Sequence, residues 1–277
     1  PNPLIRSQML YPVKLQAHET EIIFIITYII VSIMKTTKVL KSNISEVTIK
    51  DVSNFLNTSS KKTVAICNAN TLVRSVKNSD IRDIVNSFDI KTPDGFPVAK
   101  ALSFLTKRKF SRVDGYKVFL TTLSDGIENK KKHYFFGSDE KTTTLMVKKL
   151  NNLFPEILIS GYICPEYTSP EKLVSKYKNQ LLNIDADIVW VSLGFPKQEV
   201  FINLLQKEVD LNSNLVGVGG VFDWVAGTKK KAPEWLANLG MEWFLRLIQD
   251  PKRLYKRYLI DNTLFVLYFL RQVLFRR

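Results

Sequence analysis

The sequence has 277 residues, 45% of them hydrophobic, which is enough for one large α/β domain or two small ones. Forty Lys and Arg against 26 Asp and Glu give a formal net charge of +14, which favours an acidic partner: nucleic acid, an anionic membrane face or a phosphorylated small molecule. The two cysteines are far apart and there are only two histidines, so neither a zinc site, a disulfide framework nor histidine-based catalysis is predicted. These cysteines fit a reducing, cytoplasmic setting.

An apolar run, IIFIITYIIVSIM, occupies residues 22–34. It is shorter than the ~20 residues of a spanning helix, which favours an interfacial or buried segment. A signal peptide is disfavoured because no small-residue cleavage site follows. Alternatively, MKTTKVLKSNISEV from Met34 resembles a protein start, and the preceding residues are an extension. We therefore treat residues 1–36 as a separate N-terminal segment.

Short β-rich runs alternate with amphipathic helical runs between residues 37 and 228, the pattern of a parallel sheet covered by helices. The predicted strands are residues 63–67, 133–137, 156–160, 187–194 and 214–220. The predicted helices include residues 52–57, 96–107, 141–154, 170–182 and 197–209. This alternation predicts an α/β fold with a Rossmann-like, mostly parallel sheet.

Residues 229–277 contain no strand signal and are predicted to form a helical appendage. Asp250 followed by Pro251 is typical of a new helix start. Residues 246–277 carry eight Lys or Arg against two acidic residues, mixed with Leu, Phe, Tyr and Val. This composition suits a helix lying against an anionic bilayer surface.

Residues 187–201, DIVWVSLGFPKQEVF, indicate a buried strand that ends in Gly194 and a helix opened by Pro196. Lys197 and Gln198 then fall in the first helical turn at the carboxyl edge of the sheet, where such folds bind phosphate. The alternative is an ordinary solvated turn. We interpret Trp190 as a core residue.

GVGG, residues 217–220, follows another strand, and Gly219 would let the backbone approach a ligand closely. The run does not complete the GxGxxG dinucleotide motif, because position 222 is Phe. The DAD string at Asp185 and Asp187 precedes a strand, at the amino edge of the sheet, and is interpreted as a loop. No metal ion or other cofactor is predicted.

Arg246, Arg253 and Arg257 are spaced seven and four residues apart, which would place them on one helical face if the chain stays helical through Pro251. Three guanidiniums there could clamp a diphosphate, and the alternative is a solvated basic face. Asp94, in KTPDGFPVAK, lies at a predicted strand-to-helix corner after the strand-like VNSFDI. From spacing alone, a structural turn residue is the favoured interpretation of Asp94.

Five motifs occur in this order along the chain: TPDGFPVAKALSF, HYFFGS, DADIVWVSLGFPKQEVF, LVGVGGVFDWVAGTKKKAP and EWLANLGMEWFLRLIQDPKRLYKRY. Together they resemble the WecG/TagA/CpsF family of bacterial glycosyltransferases, from about residue 37 to about residue 260. The resemblance implies transfer of an N-acetylmannosamine-type or related hexose from a UDP-sugar donor to a polyprenyl-diphosphate-linked sugar acceptor. The enzyme would invert the anomeric centre and act peripherally at the cytoplasmic membrane surface, in cell-envelope polysaccharide synthesis.

The resemblance also implies roles for individual residues. Asp94 matches the general base of the family, and Asn68, Arg112 and Gln198 match residues around the donor pocket. The lipid-diphosphate clamp corresponds to Arg246, Arg253 and Arg257. Two departures stand out: Ile66 where better-known members often have Thr, and Asp114 beside the expected Gly115.

Composition and motifs bear on two other functions. A basic nucleic-acid-binding protein without enzymatic activity would use the charge of +14, but aromatic residues are not interleaved with the basic runs as a stacking platform requires. An NAD-dependent enzyme is disfavoured by the incomplete glycine motif. A helical appendage that folds over a shared site also favours a homo-oligomer.

Overall fold

The computed structural model describes residues 34–238 and 240–275, without the side chains of Glu234, Asn238 and Arg253. The chain divides into two units, Pro1–Lys35 and Thr36–Arg277. The apolar run predicted at residues 22–34 lies, apart from Met34, outside the described residues. No helix within the described ranges combines the length and apolar character needed to cross a membrane.

The second unit contains an antiparallel hairpin, β1 (Thr36–Val39) and β2 (Ser42–Ser45), and one large sheet. The strands of the sheet are β3 (Thr63–Cys67), β4 (Ile90–Pro93), β5 (Lys132–Gly137), β6 (Leu158–Ile163), β7 (Ile188–Ser192) and β8 (Asn214–Gly217). They are all parallel, in the order β4-β3-β8-β7-β5-β6. The predicted Rossmann-like α/β fold is confirmed.

Helices connect the strands. They are α1 (Ile49–Thr58), α2 (Ala69–Lys77), α3 (Ser79–Ser87), α4 (Phe96–Thr106), α5 (Gly115–Asp125), α6 (Glu140–Leu153), α7 (Pro170–Leu182), α8 (Lys197–Glu208) and α9 (Val221–Ala226). All five helices predicted in this region are present. From β3 the chain runs to β4 at one edge of the sheet and then crosses to β5 on the other side of β3. The order in which strands are added therefore reverses beside β3.

The core lies on both faces of the sheet, which explains the continuous apolar runs of its central strands. Trp190 of β7 is fully buried, as predicted, and its indole N–H donates to Nδ1 of His133 (3.3 Å). On β5, the ring of Phe136 stacks on that of Phe201, with 4.7 Å between centroids. The contact between Phe136 and Phe201 packs α8 against the sheet and so helps to determine where its first turn lies.

Strand ends differ from the prediction: residues 156–160 correspond to β6 at Leu158–Ile163, and residues 187–194 to β7 at Ile188–Ser192. Two other local predictions were wrong. The run VNSFDI was interpreted as strand-like, but α3 continues to Ser87 and β4 begins only at Ile90. Val85 of this run is fully buried and completes the apolar face of α3, a helical pattern that a short window does not reveal. The strand predicted at residues 214–220 ends at Gly217, because Gly219 adopts a φ of 60° that interrupts an extended strand.

After α9 come α10 (Glu234–Asn238), α11 (Glu242–Gln249), α12 (Pro251–Tyr255), a π-helical segment (Lys256–Asp261) and α13 (Asn262–Leu274), together called the C-terminal helices. The predicted helix start at Pro251 is confirmed. Phe265 of α13 is 2% exposed within the core. The Gln272 side chain accepts from the N–H of Leu40 (2.7 Å) and donates to the carbonyl of Lys38 (2.9 Å). The C-terminal helices are thereby anchored to the rest of the unit.

Candidate active site

Asp94 occupies the corner between β4 and α4, at the carboxyl edge of the sheet. Its backbone N–H donates to the carbonyls of Cys67 (2.9 Å) and Thr92 (3.0 Å), which ties the corner to the end of β3. Gly95 follows with a φ of 79°, a left-handed conformation that glycine adopts without strain. The backbone of Asp94 is therefore fixed, and its half-buried side chain borders two cavities.

The surroundings of Asp94 raise its pKa to about 6. Desolvation is the largest cause, and the negative charges of Asp114 and Glu242 add to it. The positive charges of Arg246 and Arg112 act in the opposite direction. A carboxyl that exchanges its proton near neutral pH is suited to general-base catalysis.

Two cavities meet at Asp94, with volumes of about 440 Å³ and about 170 Å³. Residues that line both are Asn68, Asp94, Arg246, Arg257 and Tyr258. The fold thus brings together a carboxylate from β4, an amide from β3 and two arginines from the C-terminal helices. Asp94 is accessible from two sides.

The larger cavity lies between the starts of α2 and α4 and the C-terminal helices. Its apolar wall is formed by Phe96, Pro97, Trp243, Leu259 and Val266. Its polar lining includes Asn70, Arg112, Glu242 and Asn262. A site with one polar and one apolar side suits a ligand that has a polar head and an apolar tail.

The smaller cavity lies over the carboxyl ends of β3, β7 and β8, where open α/β sheets bind ligands. Its lining includes Ile66, Asp114, Gly194, Gln198, Gly219, Asp223, Trp224 and Lys229. Ile66, the departure noted in the sequence, therefore presents an apolar side chain to this cavity.

Gln198 is 3% exposed and holds the glycine turn after β8 in place. Its Oε1 accepts from the N–H of Gly219 (2.9 Å), and its Nε2 donates to Oε1 of Glu199 (2.9 Å). A Cβ on Gly217 would lie 2.8 Å from Gln198 Nε2, so a larger residue at position 217 would displace this side chain. Gln198 and Gly219 both border the smaller cavity, but these two hydrogen bonds join them to each other and to Glu199.

Two further residues predicted to bind substrate, Asn68 and Lys197, differ in whether they border the cavities. Asn68 caps α2, since its Oδ1 accepts from the N–H groups of Asn70 (3.1 Å) and Thr71 (3.3 Å), and it borders both cavities. Lys197 borders neither cavity in the described structure, and its Nζ lies 4.3 Å from the ring centroid of Tyr167. Lys197 is thus not brought together with Asp94.

A network of ion pairs around Glu242 lies at the site. Arg112 Nη1 lies 2.5 Å from Glu242 Oε2, and Arg246 also pairs with Glu242. The Arg246 guanidinium lies 4.2 Å from the ring centroid of Trp224. Of the three predicted clamp arginines, Arg246 and Arg257 border both cavities, and the Arg253 side chain lies outside the described part of the structure.

Glu242 and Tyr258 were missed by the sequence analysis, although both lie within a quoted motif, GMEW and KRY. Nothing local shows that they border the cavity with Asp94, because the C-terminal helices reach it only through tertiary packing. Asp185 and Asp187 pair with Lys132 and Lys131 at the amino edge, in the predicted loop. Among the described residues no group of three or more His, Cys, Asp or Glu could hold a metal ion.

Comparison with known proteins identifies the class. Residues 37–277 match the family described as "Glycosyl transferase WecG/TagA/CpsF family", and the chain belongs to this family. It is a glycosyltransferase. The hypothesis of a nucleic-acid-binding protein without enzymatic activity is therefore wrong.

Two relatives carry the same name, N-acetylglucosaminyldiphosphoundecaprenol N-acetyl-beta-D-mannosaminyltransferase. The protein from Bacillus subtilis (strain 168) is 34% identical over 196 residues, 69% of this chain and 72% of the relative. The protein from Bacillus spizizenii (strain ATCC 23059 / NRRL B-14472 / W23) is 28% identical over 179 residues, 65% of this chain and 68% of the relative.

Proposed function

We propose that this glycosyltransferase moves an N-acetylmannosamine-type sugar from a UDP-sugar to a sugar linked through a diphosphate to a polyprenyl chain, with inversion. The names of its relatives, which specify an N-acetylmannosaminyl group and a diphosphoundecaprenol acceptor, support the substrate classes. The observation that carries the mechanism is the position of Asp94 where the two cavities meet.

The acceptor fits the larger cavity. Its sugar and diphosphate would lie at the polar end, close to Asp94 and Arg246, and its apolar chain would leave along Leu259 and Val266. The donor sugar fits the smaller cavity, which has room for little more than a sugar ring. The nucleotide would then extend over the rim, where Lys229 lies.

In the reaction, Asp94 takes the proton of the acceptor hydroxyl while the hydroxyl oxygen attacks the anomeric carbon from the face opposite UDP. The bond from that carbon to the phosphate oxygen breaks in the same displacement, and UDP leaves with the electron pair. Arg246 and Arg257, which border both cavities, supply positive charge to the departing diphosphate. One carboxylate suffices for such a displacement.

The C-terminal helices are suited to hold the enzyme on the inner face of the plasma membrane. Leu267, Leu270 and Leu274 of α13 are 55%, 51% and 76% exposed and form one stripe, since residues three and four apart share a helix face. Lys252 and Lys256 are exposed nearby in the sequence. Apolar residues combined with basic ones favour an anionic lipid surface, where the acceptor resides.

The experiment is an assay of the purified protein with a panel of UDP-sugars and a short-chain prenyl-diphosphate-linked N-acetylglucosamine. We expect UDP release with UDP-N-acetylmannosamine, dependent on the acceptor, and a product of the opposite anomeric configuration. UDP release without acceptor dependence, or a product with retained configuration, contradicts the proposal.

A further inference from the structure

Asp114 is a second buried carboxylate of the site, and its role as a helix cap uses only one of its two carboxylate oxygens. It is 6% exposed and caps α5 through Oδ1, which accepts from the N–H of Lys117 (3.0 Å). Oδ2 is buried, has no hydrogen-bond partner in the described structure and lies 3.5 Å from Arg112 Nη2. Ser and Asn cap helices about as well as Asp, so capping does not require the charge.

The backbone places this carboxylate beside the proposed base. The N–H of Val113 donates to the carbonyl of Pro93 (3.0 Å), and Oγ1 of Thr92 donates to the carbonyl of Val113 (3.2 Å). The segment before α5 is thus joined to the end of β4, and both Asp114 and Asp94 border the smaller cavity.

We propose that Asp114 is a positioning residue that strengthens Asp94 as a base through the repulsion between their charges, an inference that rests on the proposed function of Asp94. Two like charges in a poorly solvated site interact strongly, so the protonated form of one of them is favoured. This agrees with the pKa of Asp94, to which Asp114 makes the largest upward contribution after desolvation.

Other charged and titratable groups act on the same pair. Glu242 of α11 adds to the repulsion, and Arg112 and Arg246 oppose it. Asp114 itself lies 3.5 Å from Arg112 Nη2 and 3.6 Å from Lys231 Nζ. Further groups at the site are Cys67 on β3 and Arg257 and Tyr258 in the π-helical segment.

The test compares the pH dependence of kcat/KM for the wild type and Asp114→Asn, which keeps the shape and the helix cap. We expect the acidic limb of the variant to shift to lower pH and its plateau to fall, because a weaker base removes the proton less readily. The matched control is Asp139→Asn, since Asp139 caps α6 in the same way (Oδ1 to the N–H of Thr142, 2.9 Å) and borders neither cavity. Its profile should coincide with that of the wild type.

Other outcomes of these experiments distinguish failure of the Asp114 inference from failure of the proposed function of Asp94. An unmoved acidic limb in Asp114→Asn overturns the inference, and a raised KM with an unmoved limb would make Asp114 a ligand of the donor instead. If Asp94→Asn remains active, the proposed function fails; if Asp94→Asn is inactive and the Asp114→Asn profile is unmoved, only the inference fails. Asp114→Ser keeps the cap as well, and loss of folding in both variants would assign Asp114 to the fold and overturn the proposal.

Discussion

Arg112 and Glu242 form an ion pair, 2.5 Å between Nη1 and Oε2, that joins the segment before α5 to the first residue of α11. The two side chains are 16% and 12% exposed, so water screens the pair little. The pair spans 130 residues of sequence and lies at the edge of the larger cavity. It connects the α/β sheet with the C-terminal helices at the place where Asp94 lies.

Glu242→Ala should destabilise the protein measurably. The substitution removes the carboxylate that Arg112 and Arg246 share, and we expect a loss of roughly 2 kcal/mol in the free energy of unfolding, as for other hydrogen bonds to charged groups. Urea denaturation measures this loss. The matched control is Glu208→Ala, which removes a more exposed pair with Lys178 (2.8 Å) and should cost less than about 1 kcal/mol. Equal losses in the two variants would mean that the Glu242 pairs do not hold α11.

Glu199→Gln should stabilise the protein at alkaline pH. Glu199 is 2% exposed, its Oε2 has no hydrogen-bond partner in the described structure, and burial raises its pKa to about 7. The folded state therefore keeps a proton that the unfolded chain has released, and stability falls as the pH rises from the ordinary glutamate range through about 7. Glutamine carries no such charge.

The measurement is the free energy of unfolding of the wild type and Glu199→Gln at pH 5 and pH 8. From pH 5 to pH 8, the free energy of unfolding of the variant should rise relative to that of the wild type, by at most roughly 3 kcal/mol. Glu208→Gln, an exposed site on the same helix, should show no such gain. If the difference in the free energy of unfolding between Glu199→Gln and the wild type is the same at both pH values, Glu199 is not a buried group that titrates in this range.

Replacing the exposed stripe of α13 should abolish membrane binding without unfolding the protein. We expect the triple variant Leu267→Gln, Leu270→Gln, Leu274→Gln to lose sedimentation with anionic vesicles, because it removes apolar surface and not charge. The matched control replaces Leu145, Leu153 and Leu182, which are 38%, 60% and 47% exposed on α6 and α7. Loss of binding in the control set, or retained binding in the α13 set, would place the membrane contact elsewhere.

The sequence predicts the parts of the site that local chemistry determines. Pro93, Gly95 and Pro97 specify the corner that holds Asp94, and Gly194 with Pro196 specifies the start of α8. The sequence does not predict as well which side of a helix a residue faces. Lys197 and Gln198 share the first turn of α8, yet of these two only Gln198 borders one of the two described cavities. Which of the two lies inward depends on how Phe201 packs on the sheet, a tertiary contact.

The roles of Asp114 and Glu242 could not be predicted for a related reason. Each is one charge among many in a basic chain, and only the fold brings them to Asp94. The hydrogen bond between Val113 and Pro93 and the ion pair across 130 residues are long-range contacts that leave no local pattern. The same holds for the hydrogen bond from Gly219 to Gln198, which supports the glycine turn at the smaller cavity.

Single-turnover transfer by Asp94→Asn tests most directly whether Asp94 removes the proton from the acceptor hydroxyl. With enzyme, UDP-N-acetylmannosamine and acceptor premixed at saturation, we expect a folded variant that binds UDP like the wild type and transfers the sugar at a rate lower by about 10²-fold or more. Asp139→Asn should transfer at the wild-type rate. A transfer rate for Asp94→Asn within a few-fold of the wild type would contradict the account and leave Asp94 as a residue of the turn.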